Sequence, residues 1–203
     1  MTKKTLFLIL ASFFLIRVFL AVLDINYQVF PHDYSDFAQY NDYALSILKN
    51  FSWLYSPNFL GNFREPLYPL FLAFIYLLFG KQNLFAIFIF QAVISTITIY
   101  IIYRLALRIF GKTAAVISLF LAGLNGYYLF YVFNPVRETL NYFLVILFFY
   151  LLFICLNDSS DKKKYLFLAA LSLVLLVHID SRYLYFLPCS AVLFLYLIIL
   201  KKA

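Results

Sequence analysis

Six stretches of this chain are apolar over the lengths a bilayer demands. A hydrocarbon core of about 30 Å takes roughly 17–25 helical residues, fewer where end groups snorkel. The stretches lie at about 5–23, 84–103, 113–133, 139–156, 165–179 and 183–200. In lipid every backbone polar group needs an internal partner, so such runs are helices. The pattern therefore predicts an all-α, polytopic transmembrane helical bundle of about six spans, one membrane domain over 1–203. Of the 203 residues 66% are hydrophobic and 12% charged, where soluble domains are about half apolar and about a quarter charged. Disorder, a nucleic-acid module and an ordinary soluble enzyme are excluded as classes. The first run follows Lys3 and Lys4 but exceeds the usual signal-peptide core and lacks an A-x-A site, so it reads as a retained span.

A seventh apolar run, 66–79, is too short to cross: 14 residues rise about 21 Å. Charge settles its placement. If it does not cross, Lys3, Lys4, Arg104, Arg108, Lys112, Lys162, Lys163, Lys164, Lys201 and Lys202 share one side, ten of the 16 basic residues. The other side then holds seven acids, Asp24, Asp33, Asp36, Asp42, Glu65, Glu138 and Asp180. The positive-inside rule favours this arrangement, with both termini cytoplasmic and 66–79 in the outer interface. The net charge of +7 is then a matter of topology and needs no nucleic-acid partner.

Residues 24–83 become an outer loop of 60 residues, too long for a mere connection. Within it, 34–48 has helical periodicity, with Phe37, Tyr40, Ala44 and Leu48 on one face, Asp42 opposite in water, and Asp36, Tyr40 and Tyr43 along the border. Asp33 is the expected N-cap. A second acid, Glu138, follows the short turn Asn134-Pro135-Val136-Arg137, where one reading has Arg137 simply neutralise it and mark the interface. Arg17, in the outer third of the first span, either snorkels to headgroups or enters a polar cavity and meets a phosphate. Arg182, beside His178 and Asp180, marks the end of the fifth span, and Arg64 and Lys81 bracket 66–79. Cys155 and Cys189 fall in separate spans and are not expected to pair. His32 and His178 have no metal-ligand spacing.

Carboxylates and arginines at one membrane face, beside a lipid-accessible helix rich in tyrosine, suit a substrate with a lipid tail and a phosphate. Arginine holds phosphate through charge-assisted bonds, and a carboxylate can serve a hydroxyl nucleophile as general base.

The order of first span, Asp36-x3-Tyr40-x3-Ala44, REPLYPLFLAFIYLLFG at 64–80, YRLALRIFGKTAAVISLFLAG at 103–123 and an Arg-Glu pair in a short turn resembles the N-terminal membrane module of GT-C glycosyltransferases. The nearest branch is that of protein O-mannosyltransferases and aminoarabinose transferases, over about 5–200. The resemblance implies inverting transfer of a sugar from a polyprenyl-phosphate carrier to an acceptor hydroxyl. Asp36 matches the acid of the first outer loop and Glu138 that of the second. Arg64, Arg137, Arg182 and Tyr40, with Arg17 behind them, are then the groups facing the substrate. Some members place a divalent metal between two such acids, so Asp36 and Glu138 would share one. Glu65 stands where relatives often have a base before the proline, and complete members run on past the position of Ala203. The resemblance thus leaves open a chain that needs a second polypeptide. Two other readings are a lipid-binding scaffold and a small transporter using Gln91, Ser95, Thr96 and Thr98.

Overall fold

The computed structural model describes residues 1–27, 34–50, 64–157, 161–186 and 188. The described residues are helical, without strands: α1 (Lys3–Tyr27), α2 (Tyr34–Asn50), α3 (Leu67–Phe79), α4 (Leu84–Phe110), α5 (Lys112–Leu124), α6 (Gly126–Val132), α7 (Glu138–Asn157), α8 (Lys162–Ile179) and a 3-10 turn at Ser181–Tyr185. Among these, α1, α4 and α7 are long and apolar enough to cross a membrane, and α5 with α6 makes a fourth candidate as one bent pair. The expected fifth span falls on α8, whose first turn is Lys162-Lys163-Lys164. The expected sixth lies largely outside the described residues, as do Asp33 and Cys189.

Helix α4 is the axis of the bundle, packed by α1, α5 and α7, while α7 pairs with α8 and α2 with α3. At 27 residues it rises about 40 Å, two turns beyond the expected end at 103. Its N-terminus is set by Asn83, which accepts from the Ala86 N–H at 3.0 Å and satisfies a free end donor. Between α3 and α4 the chain turns at Gly80, whose φ of +91° is a conformation that side chains disfavour.

The span expected at 113–133 is broken. Asn125 leaves the helix, and its side chain accepts from the N–H groups of Tyr127 and Tyr128, so a new helix starts there. The two pieces meet at 47°. An Asn that caps a second helix stops the first, which apolar periodicity alone does not register.

Two clusters form the interior. The smaller joins α1, α4 and α5 through Phe13, Ile99, Tyr103, Ala106, Ala115, Leu119 and Ala122. Alanines let α4 and α5 approach closely, as helix pairs in lipid require. Gly123 serves the same end, since a Cβ there would fall on the Phe13 ring. The larger cluster joins α2, α3, α4, α7 and α8. Outward-facing Phe7, Leu15, Phe19, Leu77 and Leu121 stay more than 60% exposed, a surface that only lipid covers.

Helices α2 and α3 match the expected 34–48 and 66–79. Helix α3 turns Tyr68, Leu72, Ile75 and Tyr76 inward and leaves Leu70, Phe74, Leu77 and Leu78 exposed. Those outer positions are spaced i, i+4, i+7, i+8, one stripe of the helix. The buried face of α2 is wider than expected: besides Tyr40 and Ala44 it buries Asn41, Tyr43 and Ile47, and Asn41 accepts from the Tyr76 hydroxyl at 2.9 Å. Asp42, expected in water, is accordingly only part-exposed.

Candidate functional site

Four separate segments bring charged groups to one end of the bundle: the start of α2, residues 64–65 before α3, the α6–α7 turn, and residues 180–182 after α8. Asp36, in the first turn of α2, forms an ion pair with Arg64. The same guanidinium donates from Nε to Gln39 Oε1 at 2.6 Å and lies 5.2 Å from the Tyr40 ring centroid, within cation–π range. Gln39 and Tyr40 follow Asp36 by three and four positions, so one helix face presents all three to Arg64.

Arg137 is the centre of a second network. It donates to Glu65 Oε2 at 2.8 Å and to the Ile179 carbonyl at 3.2 Å, and its Nη2 lies 3.3 Å from Asp180 Oδ2. Glu65 also accepts from the Ser181 N–H at 2.9 Å. Asp180 accepts from Arg182, through Nε at 2.9 Å and the backbone N–H at 3.0 Å. Neutralising Glu138 was one expected role of Arg137; its hydrogen bonds go to Glu65 and the Ile179 carbonyl, and Asp180 lies beside it. The fork of a guanidinium reaches two carboxylates and a carbonyl at once, which ties the α6–α7 turn to α3 and α8.

Burial pushes the Glu65 carboxyl up, but the Ser181 hydrogen bonds and the Arg137 charge outweigh it, and the group titrates below its usual range. The same balance, with Arg182 and Arg137 opposing burial, lowers Asp180. A carboxyl with a lowered folded value binds fewer protons when native, so its stabilisation is present above the unfolded pKa and lost as pH falls through the folded one. The melting temperature in detergent is expected to be flat near neutrality and to fall once pH drops below about 4.5. Arg137→Gln should flatten that acid limb, as read by thermal unfolding across pH.

Among the described residues five buried side-chain atoms show no hydrogen bond, two of them the Tyr40 hydroxyl and Glu138 Oε2. Both belong to the cluster. Tyr40 senses the charges of Arg137, Arg64, Glu138 and Asp36, and Glu138 senses Arg137, Asp36 and Arg182. Burial first, then the two carboxylates, against the opposing arginines, push the Tyr40 phenol up to about 12. It remains a hydrogen-bond donor at neutral pH. A buried donor and a buried acceptor left unpaired are costly in a resting protein and useful toward a polar ligand. The Nη1 groups of Arg64 and Arg182 likewise make no hydrogen bond among the described residues.

The remaining expected residues lie elsewhere. Arg17 is fully buried inside the bundle, donating to Ser95 Oγ at 3.1 Å and to the carbonyls of Phe13 and Gly123 at 3.0 and 3.2 Å. It clamps α1 to α4 and α5 and neither snorkels nor joins the charged cluster. Gln91, one of the polar residues weighed for transport, accepts from the Tyr68 hydroxyl at 2.8 Å and donates to the carbonyls of Tyr131, Val132 and Asn134 at 3.0 Å. Thr96 and Thr98 bond carbonyls of their own helix. Among the described residues these groups are hydrogen-bonded within the bundle. Gln91 instead holds the turn that carries Arg137 and Glu138. Gln91→Leu strands one phenol and three carbonyls, and is expected to cost about 2–4 kcal/mol, measurable as lost thermal stability with a weakened site.

Among the described residues no three or more His, Cys, Asp or Glu side chains converge as metal ligands. Arg64 sits on Asp36, where a cation would have to bind.

The acids and arginines of this helical membrane protein thus gather at one end, beside a short helix with an exposed apolar stripe. The chain belongs to the dolichyl-phosphate-mannose-protein mannosyltransferase family, within the GT-C group, whose family model matches residues 64–203. It is thus a membrane protein of the mannosyltransferase type of glycosyltransferase. Arg64, Glu65, Arg137, Glu138 and Arg182 lie within the matched residues, and Arg17, Asp36 and Tyr40 before them. No curated protein and no solved structure matches the chain.

Proposed function

We propose that the cluster binds a polyprenyl-phosphate-linked sugar at the outer membrane face and transfers the sugar, with inversion, to an acceptor hydroxyl. The observation that carries this reading is the pairing of Asp36 with Arg64 beside an unpartnered phenol and carboxylate, all next to the lipid-facing stripe of α3. A polyprenyl tail lies along Leu70, Phe74 and Leu77, exposed and apolar. Its phosphate meets the free Nη1 donors of Arg64 and Arg182, and the Tyr40 hydroxyl donates to the sugar or phosphate.

Asp36 takes the proton of the acceptor hydroxyl as its oxygen attacks the anomeric carbon. The bond from that carbon to the phosphate oxygen breaks, and the electron pair leaves with the lipid phosphate, whose growing charge the arginines stabilise. Glu138 Oε2 accepts from a sugar hydroxyl and fixes the ring. The positive-inside rule supports the outer location, with both termini cytoplasmic.

The test uses the full chain in nanodiscs with radiolabelled polyprenyl-phosphate mannose and a mixed pool of acceptor hydroxyls. Loss of label from lipid to the aqueous phase, abolished in Asp36→Asn, supports transfer by this chain. Donor binding with no release by the wild type would mean a site that needs a second polypeptide. No binding would remove the proposal.

A further inference from the structure

Of the five buried side-chain oxygens without a hydrogen bond among the described residues, three fall within 134–141: Asn134 Oδ1, Glu138 Oε2 and Asn141 Oδ1. Asn134 is 3% exposed and Asn141 7%. Glu138 and Asn141 lie three positions apart at the start of α7, so one helix face presents both side chains. Further along α7 the buried positions Leu144, Phe148 and Leu151 continue that spacing and are apolar. Asn141 thus puts a carboxamide where packing calls for a leucine, and no described residue donates to its oxygen. Thr139, two positions before it, is the opposite case. Its hydroxyl is also buried, but it donates to the Tyr131 carbonyl at 2.8 Å and fastens the α6–α7 turn.

We infer that Asn141 is a sugar-recognising residue, whose carboxamide takes a hydroxyl of the lipid-linked sugar beside the one held by Glu138. This rests on the reading that the charged cluster holds such a donor. A hydroxyl both donates and accepts, and an amide offers the complement of each, whereas a carboxylate only accepts. The two side chains on one helix face therefore suit neighbouring hydroxyls of a neutral sugar, once the arginines have taken the phosphate. Tyr40, which senses the Glu138 charge, brings a further unpartnered polar atom from α2. An unpaired buried amide weakens the resting protein and gains its bond only when the sugar arrives. It thereby discriminates the sugar-bearing lipid from the bare lipid phosphate.

The test titrates the full chain in nanodiscs with polyprenyl-phosphate mannose and, separately, with bare polyprenyl phosphate. Asn141→Leu keeps the branched shape without the polar atoms. It should weaken the mannosyl lipid about tenfold and leave the bare lipid within about twofold, without lowering the melting temperature. Asn141→Ser, smaller and still polar, should weaken the mannosyl lipid only about threefold. Thr139→Val removes a satisfied hydroxyl instead, and should lower the melting temperature while the preference for the mannosyl lipid stays intact. Equal weakening of both lipids by Asn141→Leu, or weakening of neither, would overturn the inference, as would a wild type that binds the two lipids equally. A wild type that binds neither lipid would remove the donor-binding reading itself, and this inference with it.

Discussion

Asp36→Asn is expected to lower the proposed sugar transfer by about 10²–10⁴-fold, while the donor should still bind within about twofold of wild type. The amide keeps the size of the carboxylate and can still accept a hydrogen bond from Arg64, so the local geometry survives. It cannot take a proton from the acceptor. A general base contributes in the transition state and little to ground-state binding, so the loss falls on kcat with KM nearly unchanged. Single-turnover release of labelled sugar in nanodiscs, beside equilibrium donor binding, separates the two quantities. Equal losses in both would assign Asp36 to binding, and unchanged release would remove it from the chemistry.

Arg137→Ala has the largest expected effect on the fold. It takes Arg137 away from Glu65 and Asp180, whose side chains are 16% and 2% exposed, and frees the Ile179 carbonyl. Removing one partner from a buried ionic network costs about 3–5 kcal/mol. Asp180 keeps its hydrogen bonds from Arg182 and Glu65 that from the Ser181 N–H, so the loss falls at the lower end of that range. The expected result is a clear fall in the detergent melting temperature at neutral pH. A double variant with Glu65→Gln should recover part of it, because the charge that lost Arg137 goes with it. A fall of under about 1 kcal/mol would show that the network is solvated and carries no structural weight.

How far the sequence alone reaches is visible in particular residues. Helices α2 and α3 were legible, one from its period and the other from a length too short to cross. Charge counting put Asp36, Glu65, Glu138 and Asp180 on one side, and these four do gather at one end of the bundle. The break at Asn125 was not legible, since a capping side chain interrupts a helix without interrupting its hydropathy. The partners of Arg137 were also hidden. Glu65 precedes it by 72 residues and Asp180 follows it by 43, and only the packing of α7 on α8 and the entry into α3 bring them together. Glu65 read as a departure from the pattern of phosphate-binding enzymes; in the structure it is the acid that holds Arg137. Arg17 and Gln91 carried the opposite lesson. A polar side chain within a span suggests function, yet both are consumed by hydrogen bonds that fasten helices.

The central claim is that the Asp36, Arg64, Arg137 and Arg182 end of the bundle holds the lipid-linked donor. A polyprenyl-phosphate sugar carrying a photoreactive group beside the phosphate tests it most directly, by cross-linking in nanodiscs and mapping the labelled peptides. The account predicts adducts within 36–40, 64–78 and 180–183, competed by unlabelled donor and reduced in Arg64→Ala with Arg182→Ala. Adducts confined to the far ends of α1 and α4, or insensitive to both arginines, would contradict it.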